Sequence, residues 1–161
     1  PVLLLTLCLS AHADTRTCLV VGVSDGDTIT ARCGVAGSYE QVKVRFNGID
    51  TPERKQAFGQ RAKEALSHLV FKKFAELDCR KADRYGRSVC KVIVGRQDVG
   101  LAMVSSGMAW WYRAYAKEQS PDDRSRYEAA EVQARALHLG LWHDPDPVPP
   151  WGWRKDRQGQ K

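Results

Sequence analysis

Four cysteines constrain the topology of this chain more than any other feature. Cys18 and Cys33 stand about equally far from a turn at Asp25-Gly26, and Cys79 and Cys90 about equally far from a turn at Asp83-Arg84-Tyr85-Gly86-Arg87. Residues placed symmetrically about a hairpin turn face each other across the ladder, near enough to bond. The flanking segments agree with two hairpins. Thr17 to Ser24 alternates apolar and polar residues and Thr28 to Cys33 returns from the turn; Phe74 to Arg80 and Ser88 to Val94 repeat the pattern. Four cysteines permit three pairings, and symmetry selects Cys18–Cys33 and Cys79–Cys90. Zinc is disfavoured, because the cysteines show no C-x-x-C spacing and no nearby histidine partner.

Between and beyond the hairpins the periodicity changes. Tyr39 to Phe46 alternates again, with Val42, Val44 and Phe46 on one face. Gln60 to Lys73 carries Ala62, Leu66, Leu69 and Val70 at helical spacing. Asp98 to Ser106 reads as a short helix ending at Gly107, a position suited to a left-handed cap. Ser120-Pro121 opens a longer helix: serine caps, proline fits the first turn, and Asp123 completes a capping-box pattern. Tyr127, Ala130, Ala134, Leu137 and Leu141 form its apolar stripe. Three strands, a helix, two strands and two helices make an α+β chain, and five short strands with a helix between the third and fourth is the arrangement of an OB-fold barrel.

The N-terminus, Val2-Leu3-Leu4-Leu5-Thr6-Leu7-Cys8-Leu9 followed by Ser10-Ala11-His12-Ala13, resembles the apolar region and small-residue cleavage site of a signal peptide. It is too short to span a bilayer. The expectation is a signal segment over 1–13, one folded domain over 14–143, and a basic tail over 144–161 rich in proline and tryptophan, lying extended or frayed. Removal of 1–13 takes Cys8 away and leaves an even cysteine count, which suggests disulfides in an exported protein. The expected destination is therefore periplasmic or secreted. The formal net charge of +6 favours a polyanionic partner without identifying one.

Two acidic corners carry the chemistry. Asp25-Gly26-Asp27-Thr28 sits at the first hairpin turn, and Asp50-Thr51-Pro52-Glu53 leaves the third strand. Neighbouring strands of a small barrel can bring such corners together, and hard cations seek several oxygens at once. Pro52 biases Thr51 towards an extended conformation. Arg45 lies on the strand feeding the second corner and Arg87 closes the second hairpin. Two guanidiniums beside a metal suit phosphodiester hydrolysis, because the five-coordinate phosphorus gains negative charge that forked donors can hold.

Taken in order, Asp25-Gly26-Asp27-Thr28, Arg45, Ile49-Asp50-Thr51-Pro52-Glu53 and Asp83-Arg84-Tyr85-Gly86-Arg87 resemble the pattern of the staphylococcal-nuclease (thermonuclease) family, over about Cys18 to Trp142. The resemblance implies an OB-type five-stranded barrel with three helices. It implies calcium held by Asp27, Asp50 and the Thr51 carbonyl, with Asp25 supporting that site from just outside. Two carboxylates and one carbonyl imply weak binding, at roughly 10⁻⁴–10⁻³ M. Glu53 would position and deprotonate the attacking water. Arg45 and Arg87 would clamp the phosphate, and Arg87 would assist the leaving 5′ oxygen. The products would be a 3′-phosphate and a 5′-hydroxyl. Arg84 and Tyr85 match positions on the terminal-phosphate and sugar side, and Tyr115 a position lining the base pocket. Arg113 stands where the type enzyme has an aromatic residue. The implied substrates are DNA and RNA, single-stranded or locally melted. A monomer is the default expectation, with no membrane attachment after signal removal.

Two other classes compete. A non-catalytic relative would keep the barrel and lose the acids or arginines, whereas Asp27, Arg45, Asp50, Glu53 and Arg87 are all present. A plain OB-fold single-strand binder would use a basic groove and stacked aromatics. It would have no use for paired acids, which repel phosphate unless a cation lies between.

Overall fold

A computed structural model describes residues 14–159. The expected signal segment, 1–13, lies outside the described residues. Strand β1 (Asp14–Asp25) turns into β2 (Thr28–Val35), which turns into β3 (Ser38–Phe46). A two-residue strand β4 (Ile49–Asp50) precedes helix α1 (Gly59–Val70). Strands β5 (Phe74–Ala82) and β6 (Ser88–Val94) form the second hairpin, followed by β7 (Gln97–Asp98) and α2 (Val99–Ser105). Strand β8 (Trp110–Trp111), a 3₁₀ turn (Arg113–Glu118), α3 (Pro121–Ala136), a second 3₁₀ turn (Gly140–His143) and α4 (Pro150–Gln158) complete the chain.

The large strands follow the order β3-β2-β1-β5-β6, with antiparallel neighbours, and a parallel pairing of β3 with β6 closes the ring. This is the five-stranded mixed barrel of an OB-type fold. Closure leaves no long free edge. Alternation along each strand sends one set of side chains inward, and Val20, Ile29, Ala31, Val44, Phe46, Leu77 and Val92 are buried there. Helix α1 lays Ala62, Leu66 and Val70 on that core, and α2 adds Val99, Met103 and Val104. At about 25 cal/mol per Å², a fully buried Leu or Val side chain contributes roughly 1.5–3 kcal/mol, so the barrel interior dominates the stability.

Both disulfides join the expected partners. Cys18 and Cys33 have Cα atoms 4.4 Å apart, and Cys79 and Cys90 4.0 Å apart. Cys79 and Cys90 are direct register partners in the β5–β6 ladder.

Helix α1 ends at Val70, short of the expected Lys73, because Phe71 turns extended and Lys72 left-handed with φ 60°. Asp98 caps α2 by accepting from the Leu101 N–H, and Ser120 caps α3 by accepting from Asp123 N–H. Gly107 adopts φ 68° just beyond α2. Two further readings need correction. Helix α3 stops at Ala136, because His138 and Gly140 turn left-handed with φ 50° and 53°. Leu137 is therefore exposed, while Leu141 is buried beside Trp142 in a separate cluster with Trp110 and Ala134. The tail is not frayed: it forms a fourth helix, α4, with Pro150 in its first turn. No helix among the described residues is long and apolar enough to cross a membrane.

Candidate active site

The register of the barrel assembles the site. Across β2 and β3, Thr28 pairs with Arg45, and the Phe46 N–H donates to the Asp27 carbonyl at 2.9 Å. The first acidic corner is thus fixed to the strand that feeds the second. Parallel pairing of Arg45 with Val89 brings the β6 start, and with it Arg87, to the same end of the barrel. Strand β4 pairs Asp50 with Trp110, which anchors the second corner from below.

Asp27 and Asp50 are buried, at 6% and 1% exposure. Both bind one guanidinium: Arg45 forms an ion pair with Asp27 and donates to Asp50 Oδ1 at 2.9 Å and to the Ile49 carbonyl at 3.1 Å. The second oxygen of Asp27 accepts from the Thr51 N–H at 3.0 Å and the Thr51 hydroxyl at 2.8 Å. Thr51 therefore locks the two corners together. Asp25 Oδ1 accepts from the Asp27 N–H at 3.2 Å and so braces the turn from behind. Gly26 makes that proximity possible. A Cβ there would stand 2.8 Å from Thr51 Oγ1 and 2.8 Å from Ala62 Cβ.

Arg87 is aimed by Asp83. Its Nε and one terminal nitrogen each lie 2.7 Å from Asp83 Oδ2, and a third nitrogen reaches the Thr28 hydroxyl at 3.4 Å. Burial pushes the Asp83 carboxyl up, but the Arg87 and Tyr85 N–H groups and the Arg87 guanidinium outweigh it and hold the group below the ordinary aspartate value. Burial pulls the Arg45 guanidinium down from its ordinary value, with Asp50 opposing and Arg87 reinforcing. An arginine remains protonated regardless.

All ten residues singled out from the sequence line one cleft of about 840 Å³: Asp25, Asp27, Arg45, Asp50, Thr51, Glu53, Arg84, Tyr85, Arg87 and Tyr115. Arg84 donates to the Tyr85 hydroxyl at 2.7 Å. Tyr85 and Tyr115 are 67% and 47% exposed, with the Arg84 guanidinium 4.8 Å from the Tyr85 ring centroid and the Lys81 ammonium 5.1 Å from that of Tyr115. Arg113 turns away from the cleft. It pairs with buried Glu131 at 2.6 Å and covers the Trp111 ring at 4.4 Å.

The chain belongs to the staphylococcal nuclease homologues. The model of that family matches residues 43–144. The chain is 38% identical over 156 residues to an "Uncharacterized endonuclease" of Haemophilus influenzae, covering 97% of this chain and 83% of the relative. It is 39% identical to a "Micrococcal nuclease" of Shigella flexneri, over 84% of this chain and 79% of that one. A "Staphylococcal-like nuclease CAN1" of Arabidopsis thaliana matches at 34% over 74% of this chain and 35% of its own length.

Two features of this nuclease homologue escaped sequence reading. Buried Gln56 ties the Glu53 loop to the tail: its amide oxygen accepts from the Glu53 N–H at 3.0 Å, and its nitrogen donates to the Val148 carbonyl at 2.6 Å. Arg154, on α4, enters the cleft and donates to Asp50 Oδ2 at 2.7 Å, Asp50 Oδ1 at 3.3 Å and Glu53 at 2.8 Å. Partial burial lowers the proton affinity of Arg154, but its bonds to Asp50 and Glu53 outweigh that and raise it above the ordinary value. The only sequence signal was a basic residue after Trp153; no spacing rule connects position 154 to position 50.

Proposed function

We propose that this chain is a calcium-dependent endonuclease that hydrolyses phosphodiester bonds in DNA and RNA, leaving 3′-phosphate and 5′-hydroxyl ends. The observation that carries the reading is one guanidinium shared by two buried carboxylates from different corners, with Glu53 and Arg87 on the same cleft. The relatives named endonuclease and micrococcal nuclease support it.

The donor set fits a hard cation. Asp27 and Asp50 already converge on one cationic group, and oxygen donors suit calcium rather than soft metals. Asp27, Asp50 and the Thr51 carbonyl would supply the protein oxygens, and among the described residues no cluster of three His, Cys, Asp or Glu side chains stands ready to hold a metal. A calcium ion bound there supplies Lewis-acid stabilisation of charge on the phosphate oxygens.

The protein groups divide the remaining work. Glu53 accepts a proton from the attacking water. The new P–O bond forms as the bond from phosphorus to the 5′ oxygen breaks; Arg87 donates a hydrogen bond to that oxygen as charge builds, and solvent water supplies the proton that completes the 5′-hydroxyl. Arg45 and Arg87 hold the non-bridging oxygens as charge builds, a contribution strengthened where water is excluded. Asp83 keeps the Arg87 fork oriented before substrate arrives. Arg84 and Tyr85 hold the flanking phosphate and sugar, and Tyr115 offers its ring to a base. The cleft volume lies in the range of ligand pockets, which suits an unstacked nucleotide and favours single-stranded or locally melted substrate. The two disulfides support an exported, periplasmic or secreted protein.

The test is cleavage of single-stranded DNA and of RNA by the purified chain in calcium, in magnesium and in a chelator, with analysis of product ends. Calcium-dependent cutting with 3′-phosphate ends is the expected result. Binding without cutting in every metal would overturn the proposal in favour of a non-catalytic module.

A further inference from the structure

Helix α4 follows the segment matched by the family model, which ends at residue 144. Three contacts seat it on the cleft. The Gln56 amide holds the Val148 carbonyl at 2.6 Å. The Trp151 ring stacks on Tyr112 with centroids 5.3 Å apart and meets the edge of Trp110 at 5.4 Å. Arg154 then reaches the acids.

The choice of acids is the informative point. Arg154 engages both oxygens of Asp50 and one of Glu53, that is, one expected cation ligand and the expected base. Asp50 is 1% exposed and already carries Arg45. Three acids from two corners repel one another unless positive charge lies among them. Arg154 supplies that charge from within the chain. Its own side chain is 40% exposed while Asp50 is buried, so one side of the guanidinium remains open to solvent.

We propose that Arg154 is an internal competitor of the divalent cation: with α4 docked, its guanidinium occupies the carboxylate oxygens of Asp50 and Glu53, and cation binding releases it. This inference rests on the calcium reading of the site. Arg154 and the cation share Asp50, so each weakens the other by the same factor. If the docked state holds about nine-tenths of the population, the apparent dissociation constant for calcium is raised about tenfold over that of the open site. The chain would then stay inactive until calcium exceeds a threshold set by α4. Substrate phosphate would assist release by offering the freed guanidinium another anion.

The experiment has two readouts, neither of which is cleavage. Calorimetric titration with calcium chloride compares the full chain, Arg154→Ala and Trp151→Ala. The second variant loosens the docking of α4 without touching the carboxylates. Hydrogen exchange of the α4 amides in the wild type is followed with and without calcium. The expected results are calcium binding about three- to tenfold tighter in both variants, and faster exchange of α4 in the wild type when calcium is added. Equal affinity in all three chains, or weaker binding in Arg154→Ala, overturns the inference while leaving the calcium reading intact. Absence of calcium binding in all three overturns the calcium reading and the inference together.

Discussion

Gly26 is the residue on which the geometry of the two acidic corners depends, and replacing it with alanine tests that dependence. Its requirement is spatial. A Cβ would lie 2.8 Å from Thr51 Oγ1, 2.9 Å from Thr51 Cβ and 2.8 Å from Ala62 Cβ, closer than unstrained side chains approach. Ala62 belongs to the packed face of α1 and cannot retreat into the core without cost. Thr51 must therefore move, and its amide and hydroxyl are the two donors on Asp27 Oδ2. Overpacking of this kind costs about 1–3 kcal/mol. With a urea m-value of roughly 2 kcal/mol/M for a chain this size, the unfolding midpoint should fall by about 0.5–1.5 M. Gly22→Ala is the control, since a Cβ there meets Thr30 at an ordinary 3.5 Å. The assay is urea unfolding of the three proteins, paired with calcium titration. Gly26→Ala should lose both stability and calcium affinity, and Gly22→Ala neither. Equal midpoints and equal affinities for the two variants would refute the claim that this close approach shapes the site.

Other outcomes follow from individual contacts. Because Asp83 is held below its ordinary value of 3.8, its contribution is complete at neutral pH and is lost as pH falls through the folded-state value. The melting-temperature gap between wild type and Asp83→Asn should thus be widest near neutrality and close in acid; a gap constant with pH would contradict this. Replacing Cys79 and Cys90 by serine frees a loop of sequence separation 11. Loop-closure entropy puts the loss at about 3 kcal/mol, read as a fall in melting temperature; reductant, which acts on the Cys18–Cys33 bridge as well, should lower the wild type further than this. Tyr127 donates to Asp98 Oδ1 at 2.8 Å from a buried position, and Tyr127→Phe leaves that oxygen to the α2 cap alone. A loss of about 1–3 kcal/mol is expected, and denaturant titration matching the wild type would count against it.

The barrel was legible in the sequence because its signals are local. Period-two alternation, turn residues and cysteines symmetric about two turns each report on a few neighbouring positions, and all of them agree on the hairpins. The core of the candidate site was legible for a different reason: Asp27, Arg45, Asp50 and Glu53 fall in short ordered motifs that resemble the family pattern, whereas alternation alone assigns none of them a role. Arg154 was not legible. Its partners are about a hundred positions away in sequence, and the docking of α4 depends on a glutamine amide and a stacked tryptophan, neither of which leaves a periodic trace. Leu137 misled for the opposite reason. Its spacing continues the α3 stripe, but left-handed His138 and Gly140 end the helix first.

The most direct test of the account is the single-turnover rate of single-stranded DNA cleavage at saturating calcium for wild type and Glu53→Gln, with calcium affinity measured alongside. Loss of the proton acceptor should lower the rate by about 10²- to 10⁴-fold while calcium still binds. A Glu53→Gln chain that cuts at the wild-type rate would contradict the assignment of Glu53 as the base and the hydrolytic reading built on it.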